Sequence, residues 1–215
     1  GLPAGLQSVM YAASNIIIQT SVNSLGTDVV AAWTAFGKSD VIYWTIINAF
    51  GISITTFVGQ NFGAGKLDRV HRGIKVCLGI SAGVTAFLSL ILFHFGHYIY
   101  LLFTTDAAVM DKGVEILRFL VPTFITYVCI EILSGALRGV GDSWIPMIMT
   151  ALGVCLLRVL WIFIAVPFYP DIKTICFSYP LTWTVTSILF LIYFRWFSKI
   201  RKFRNNGKGL ATLNN

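Results

Sequence analysis

Residues 74–103 read IKVCLGISAGVTAFLSLILFHFGHYIYLLF, and Lys75 is the one Asp, Glu, Lys or Arg among them. A helix needs roughly 20 predominantly apolar residues to cross a bilayer core about 30 Å thick, and this run is longer than that. A membrane-spanning β-strand would need only about 10 residues of alternating polarity, whereas this run is continuously apolar. The stretch therefore predicts a transmembrane helix, which satisfies its own backbone hydrogen bonds in lipid.

Five similar apolar runs accompany it, at 2–25, 29–58, 114–137, 144–168 and 172–194. Over 215 residues the chain is 56% hydrophobic and 12% charged, with a mean hydropathy of +0.78, whereas an average soluble chain is roughly 25% charged. We therefore predict an all-α, polytopic membrane bundle of six transmembrane helices within residues 1–198. Residues 199–215 are polar and lack periodicity, so we expect a basic cytoplasmic tail there.

The net charge of +7 is unevenly distributed along the chain. Basic residues gather after the second and fourth spans and in the tail, at Lys66, Arg69, Arg72, Lys75, Arg138, Arg195, Lys199, Arg201, Lys202, Arg204 and Lys208. The intervening connections are richer in acids, at Asp28, Asp106, Asp111 and Asp171. By the positive-inside rule this pattern predicts a multi-pass protein of the plasma membrane with both ends of this segment cytoplasmic. The basic residues then act as topology anchors near membrane lipid, and we expect no nucleic-acid partner.

Ionisable side chains within the spans are the first candidates for function, because a charge in the bilayer centre costs at least about 2.5 kcal/mol. They are Lys38, Asp40, Arg118, Glu131 and Arg158. The alternative interpretation is structural: Lys38 or Arg158 forms a buried ion pair with either in-span acid, and Arg118 pairs locally with Glu115 near the outer surface.

Each of the two in-span acids shares a helix face with aromatic residues. Asp40 lies on the face of Tyr43 and Trp44, which favours a flat cationic ligand. Glu131 shares a face with Tyr127 and Arg138, and a carboxylate in such a place could exchange a proton or bind a monovalent cation.

The first span carries a polar ladder that steps by four residues, at Gln7, Tyr11, Asn15, Gln19 and Asn23. Successive members drift by about 40° around the helix, so the ladder winds along one side of it. Such a face lines a cavity in a transporter, although polar side chains also hold membrane helices together at roughly 0.6 kcal/mol each. The sequence leaves both interpretations open.

The sequence offers little support for an enzyme or a metal site. Its four cysteines and three histidines show no CxxC pair and no metal-ligand spacing. Residues 59–66, GQNFGAGK, lack the Ser or Thr that follows the lysine of a phosphate-binding loop, because position 67 is Leu. No nucleophile, base and electrophile occur together, so we expect neither catalysis nor a bound cofactor.

Two cytoplasmic segments resemble those of the multidrug and toxic compound extrusion (MATE) family. They are FVGQNFGAGK at 57–66 and GALRGVGDS at 135–143, and their shared motif positions are Gly59, Gln60, Asn61, Gly63, Gly65, Arg138, Gly139 and Gly141. Gly1-Leu2-Pro3 at the start of the first span also looks like that family, and without an initiator Met or a cleavable signal it predicts that the chain is part of a longer protein. The motif glycines are expected to permit tight turns as the helices rock.

The resemblance implies the C-terminal six-helix lobe of a twelve-span antiporter, partnered by an N-terminal lobe. Such a protein exports organic cations or other amphiphilic drugs by alternating access, driven by Na⁺ or H⁺. One branch of the family has an acid in its seventh span, where this chain has Asn15 and Gln19, and another acid at the place of Tyr127. The coupling ion and its site therefore stay open, with Asp40, Glu131 or the other lobe as candidates.

Two other functions stay possible at this point. A lipid-linked oligosaccharide flippase shares the two-lobe architecture and would be favoured by a cavity rich in Arg and Lys. A membrane assembly subunit without transport would be favoured if Asp40, Glu131 and the polar ladder were all packed and paired with no cavity between them.

Overall fold

A computed structural model describes residues 2–196 and Ile200, and its regular elements in these residues are helices. They are α1 (Leu2–Asn23), α2 (Thr27–Ser39), α3 (Val41–Gly63), α4 (Leu67–Leu101), α5 (Ala107–Leu120), α6 (Val128–Gly139), α7 (Trp144–Thr150), α8 (Leu157–Ala165) and α9 (Ile172–Trp196). A 3₁₀ segment, Val121–Thr126, joins α5 to α6, and a π-helical segment, Ala151–Leu156, joins α7 to α8. The predicted tail at 199–215 lies outside the described residues, Ile200 excepted.

The prediction of an all-α membrane bundle is confirmed. Within the described part of the chain, five helical stretches are long and apolar enough to cross a membrane: Val41–Gly63, Leu67–Leu101, Ala107–Gly139, Trp144–Ala165 and Ile172–Trp196. The expected first span is also helical, as the 22 residues of α1, but its Gln and Asn residues make it too polar to count among the five.

Several helix boundaries differ from the predicted spans. The second span is not one helix: α2 ends at Ser39, α3 begins at Val41, and the chain bends at Asp40. The helices of the third and fourth predicted spans, α4 and α5, begin seven residues before those spans, at Leu67 and Ala107. Hydropathy marks the part of a helix that crosses lipid, whereas helix ends depend on caps. At the start of α5 the Asp106 carboxylate accepts hydrogen bonds from the backbone N–H groups of Ala108 and Val109, at 2.9 and 3.3 Å.

Helices α3 and α6 pack closely along a row of glycines. A Cβ added to Gly135 would lie 2.7 Å from the Gly51 carbonyl oxygen, and one added to Gly139 would lie 2.6 Å from the Thr55 carbonyl oxygen. The Thr55 hydroxyl bridges the pair, with the Gly135 carbonyl oxygen 3.0 Å away. Small residues let membrane helices approach in this way, so the glycines fix the helix separation.

The expectation that the motif glycines form turns is correct for two of the five. Gly65 and Gly141 have φ of 70° and 79°, the left-handed region that favours glycine. Gly59, Gly63 and Gly139 instead lie inside helices, because α3 extends through most of the first motif and α6 through part of the second. A Cβ on Gly59 would lie 3.3 Å from the Gly139 carbonyl oxygen, so these two serve close packing between helices.

Candidate functional site

A cavity of about 460 Å³ lies inside the bundle, between α1, α2, the start of α3, α8, α9 and the chain around Tyr127. Its lining residues come from every one of these elements: Tyr11, Asn15, Ile18, Gln19, Trp33, Phe36, Gly37, Asp40, Trp44, Tyr127, Arg158, Tyr179 and Trp183. A volume of this order suits a small organic molecule, since ligand pockets commonly measure about 300–1,000 Å³.

The walls of the cavity are mainly aromatic, and Trp183 is their common neighbour. Its ring centroid lies 5.4 Å from that of Tyr179, 5.6 Å from Tyr127 and 6.0 Å from Trp44, all near edge-on. Trp183 is only 2% exposed. Edge-to-face aromatic contacts of this kind hold rings in fixed orientations, which leaves flat surfaces facing the cavity.

Asp40 supplies a carboxylate at the bend between α2 and α3. The bend preserves the backbone hydrogen bonds on both sides, since the Asp40 N–H donates to Phe36 and its carbonyl accepts from Trp44. The Trp44 indole N–H donates to the Asp40 carboxylate at 2.7 Å. Asp40 is 8% exposed and forms no ion pair with any residue that the structure describes. A buried carboxylate held by a single neutral donor retains the capacity to bind a cation or a proton.

Arg158 supplies a cation to the same cavity, from the second residue of α8. Its guanidinium donates to the Thr182 hydroxyl at 3.1 Å and lies 4.0 Å from the centroid of the Tyr179 ring. The residue is 3% exposed, and it too forms no ion pair within the described chain. The π-helical segment just before α8 inserts an extra residue into the helical repeat and so sets the face from which Arg158 projects.

Glu131 does not line the cavity. Its carboxylate accepts a hydrogen bond from the Tyr127 hydroxyl at 3.2 Å and pairs with Arg138 at 3.4 Å, and it packs against Gly51 of α3. Because the Tyr127 ring lines the cavity, Glu131 is connected to it only through that side chain.

The structure brings together six of the ten predicted binding residues: Tyr11, Asn15, Gln19, Asp40, Tyr127 and Arg158. Gln7, Lys38, Tyr43 and Glu131 do not line the cavity. Lys38 is exposed, and the Tyr43 ring stacks on that of Phe124 with 4.2 Å between centroids. The middle of the polar ladder, Tyr11, Asn15 and Gln19, therefore lines the cavity. The Gln19 side-chain amide also donates a hydrogen bond to the Asn23 side chain at 2.8 Å.

The ion pairs considered as the structural alternative are not formed. Neither Lys38 nor Arg158 pairs with Asp40 or Glu131 within the described residues. Lys38 is exposed, and Glu131 forms its ion pair with Arg138. The expected pair of Arg118 with Glu115 is also wrong. Glu115 forms ion pairs with Lys112 at 3.2 Å and with Lys173 at 2.8 Å. Lys173 belongs to another helix, and nothing in the sequence indicated that it lies near Glu115.

Sequence reasoning missed the aromatic residues that close the cavity from α2 and α9. These are Trp33, Phe36, Tyr179 and Trp183. In an apolar helix an aromatic residue that lines a cavity has the same periodicity as one that packs in the core, so no local pattern distinguishes them.

Comparison with known proteins agrees with this architecture. The family model MatE matches residues 3–164. The chain is 21% identical over 196 residues to the probable multidrug resistance protein YoeA of Bacillus subtilis (strain 168), which covers 91% of this chain and 42% of YoeA. It is 24% identical over 203 residues to the probable multidrug resistance protein NorM of Aromatoleum aromaticum, which covers 93% of this chain and 44% of that relative.

The fold is also that of solved structures. A crystal structure of MATE in the bent conformation superposes with a TM-score of 0.87 at 15% identity, covering 96% of this chain and 45% of that one. The chain thus spans less than half the length of the relatives and the structure that it matches. With a family model matched over most of its length and a membrane bundle of the same fold, this multi-pass protein belongs to the MatE family, a family of transporters and not of enzymes.

Proposed function

We propose that this chain forms one lobe of a multidrug efflux antiporter and that the cavity beside Asp40 binds the exported compound. The observation that carries the proposal is a buried carboxylate without an ion-pair partner in the described chain, held by an indole N–H and facing aromatic walls. The matched relatives include probable multidrug resistance proteins, which supports the same class of function.

The chemistry of the walls favours flat ligands with a cationic group. Aromatic faces attract cations through their quadrupoles, and the attraction is stronger where water is excluded. Trp44 places the edge of its indole ring against the Asp40 carboxylate, and Trp33, Tyr179 and Trp183 line the same cavity, so a cation near that carboxylate lies in an aromatic-lined volume.

Asp40 is also our candidate for coupling to H⁺ or Na⁺. If the inward-moving ion and the exported cation compete for this carboxylate, binding of the ion releases the compound, which is what antiport requires. Alternating access then follows from two arrangements of the helices that expose the cavity to opposite sides of the membrane.

The remaining features of the proposal concern the whole protein. The protein partner of this lobe is an N-terminal six-helix lobe, which accounts for the remaining length of the matched relatives. The location is the plasma membrane, with the basic connections on the cytoplasmic side.

The two competing functions receive less support from the cavity. A lining with one arginine and one acid is not the Arg- and Lys-rich surface expected of an oligosaccharide flippase. A purely structural subunit would have Asp40, Glu131 and the polar ladder all packed and paired. Glu131 is paired with Arg138, whereas Asp40, Asn15 and Gln19 line open volume.

The test is Asp40→Asn in the complete protein, measured as efflux of a cationic dye from cells. The substitution keeps the shape of the side chain and removes its charge, so we expect export to fall by about tenfold or more, the equivalent of roughly 1.4 kcal/mol in binding. The matched control is Lys38→Gln, a charge change two residues away on the exposed surface, which should leave export unchanged. Wild-type efflux by Asp40→Asn, at equal membrane abundance, would contradict the proposal.

A further inference from the structure

The cavity that contains Asp40 also contains a second charge that the proposed export of simple cations does not use. Arg158 is 97% shielded from solvent by the chain, given its 3% exposure, and lines the same 460 Å³ volume. A buried guanidinium is costly unless it is paired, so its partners decide whether it is structural or binds a ligand.

The protein partners of Arg158 leave most of its donors unused. A guanidinium carries five N–H donors. The described chain accepts one bond from Nη2, through the Thr182 hydroxyl at 3.1 Å, while the buried Nε has no hydrogen-bond partner. The Tyr179 ring, 4.0 Å away, contacts the face of the group, which uses none of its in-plane donors.

The charge of Arg158 is also not neutralised by the protein. Asp40 is the one carboxylate of the cavity lining, it lies beyond ion-pair distance from Arg158, and its own hydrogen bond comes from Trp44. The formal charge of the lining is therefore zero, with the acid and the base held apart on α2–α3 and α8. A simple cation drawn to Asp40 would be repelled by Arg158, whereas a ligand with both charges would satisfy both residues.

We infer that Arg158 is an oxyanion-binding subsite and that the cavity takes flat aromatic zwitterions, with the cationic group at Asp40 and a carboxylate or similar oxyanion at Arg158. The inference rests on the proposed function, because it assumes that the cavity binds a ligand. Tyr179 and Trp183 hold the guanidinium by ring contacts at 4.0 and 5.9 Å, which keeps its fork of N–H groups available for a planar oxyanion.

The test uses two dyes with the same ring system, rhodamine B with a free carboxylate and its ethyl ester, which is a simple cation. Binding to the purified complete protein in detergent is measured by fluorescence anisotropy. We expect Arg158→Gln to weaken binding of the free acid by about tenfold, since hydrogen bonds to charged groups contribute that much or more, and to leave the ester unchanged or bound more tightly. Arg158→Lys, which retains the charge, should give an intermediate ratio of acid to ester affinity.

The matched control is Arg118→Gln, which removes the same group from an exposed position that lies outside this cavity and should alter neither affinity. An unchanged ratio of acid to ester affinity in Arg158→Gln would overturn the oxyanion subsite while leaving the proposed transport function intact. If Arg158→Gln does not fold, a ratio of acid to ester affinity in Arg158→Lys that is lower than in the wild type supports the inference, and an unchanged ratio overturns it. Failure of the wild type to bind either dye would overturn the binding cavity itself and the inference with it.

Discussion

Among the charged residues buried in the described chain, Asp40, Glu131 and Arg158 lie within the predicted spans, and their different neighbours indicate different roles. Glu131 is occupied by the Tyr127 hydroxyl and by Arg138, both on its own helix or one turn before it. Asp40 has an indole N–H, and Arg158 a hydroxyl and aromatic faces. A carboxylate already paired with a cation gains less from a new one, so Asp40 is the stronger candidate for ligand or ion binding.

We predict that Glu131→Gln mainly lowers the stability of the protein. The amide can still accept from the Tyr127 hydroxyl, but it loses the ion pair with Arg138, whose side chain is 31% exposed. Partial exposure screens the pair, so we expect a loss on the order of 1 kcal/mol. The measurement is the apparent unfolding midpoint in detergent, alongside dye efflux at matched abundance.

The contrast with Asp40→Asn makes that prediction specific. Glu131→Gln should lower the unfolding midpoint and retain most of the efflux. Asp40→Asn should retain the unfolding midpoint and lose most of the efflux. A Glu131→Gln protein of wild-type stability that exports nothing would instead place the coupling carboxylate at Glu131.

The contact between α3 and α6 depends on glycine, and it joins the two sequence motifs. Gly59 of the first motif lies against Gly139 of the second, while Gly51 and Gly135 continue the row deeper in the bundle. Because Cβ atoms added at Gly59, Gly135 and Gly139 would meet backbone oxygens, which cannot rotate away as a side chain can, the two helices would have to move apart. This close contact therefore holds the two motifs next to each other.

We predict that Gly139→Ala destabilises the protein by about 1–3 kcal/mol, the usual cost of overpacking a close contact. The new methyl group would lie 2.6 Å from the Thr55 carbonyl oxygen and 2.9 Å from Val58 Cβ. The control is Gly83→Ala in α4, where an added Cβ meets nothing within 4 Å. Apparent unfolding midpoints of both variants check the prediction. Equal midpoints would show that the contact between α3 and α6 accommodates the added methyl group without loss of stability.

Across the whole molecule, the basic connections fall at one end of the bundle. The ends of α3 and α6 adjoin each other through Gly59 and Gly139, so Lys66, just after α3, and Arg138, in the last turn of α6, lie at neighbouring helix ends. The connection around Thr105 follows the other end of the long helix α4, whose 35 residues are enough to cross a bilayer. The helix arrangement thus places these basic residues at the same end of the bundle, as the charge asymmetry predicts.

We predict that Lys66 faces the cytoplasm and Thr105 the exterior. In a protein whose four cysteines, Cys77, Cys129, Cys155 and Cys176, are replaced, a single cysteine is introduced at either position, both of which are exposed. A membrane-impermeant maleimide should label Thr105→Cys in intact cells and Lys66→Cys only after permeabilisation. The opposite labelling pattern would reverse the proposed orientation.

The amino-acid sequence determined the class of this protein because hydrophobicity over about 20 residues and the cost of charge in lipid are local quantities. It therefore predicted the helical membrane bundle, most span positions, and Asp40, Arg158 and the polar ladder as candidates. The tertiary structure decided which candidates meet. It placed Asp40, Arg158, Tyr127 and three residues of the ladder around one cavity, excluded Lys38 and Glu131 from it, and added Trp33 and Trp183. Those outcomes depend on helix rotation and on the bend at Asp40, which arise from packing between segments distant in the chain and leave no local pattern in the sequence.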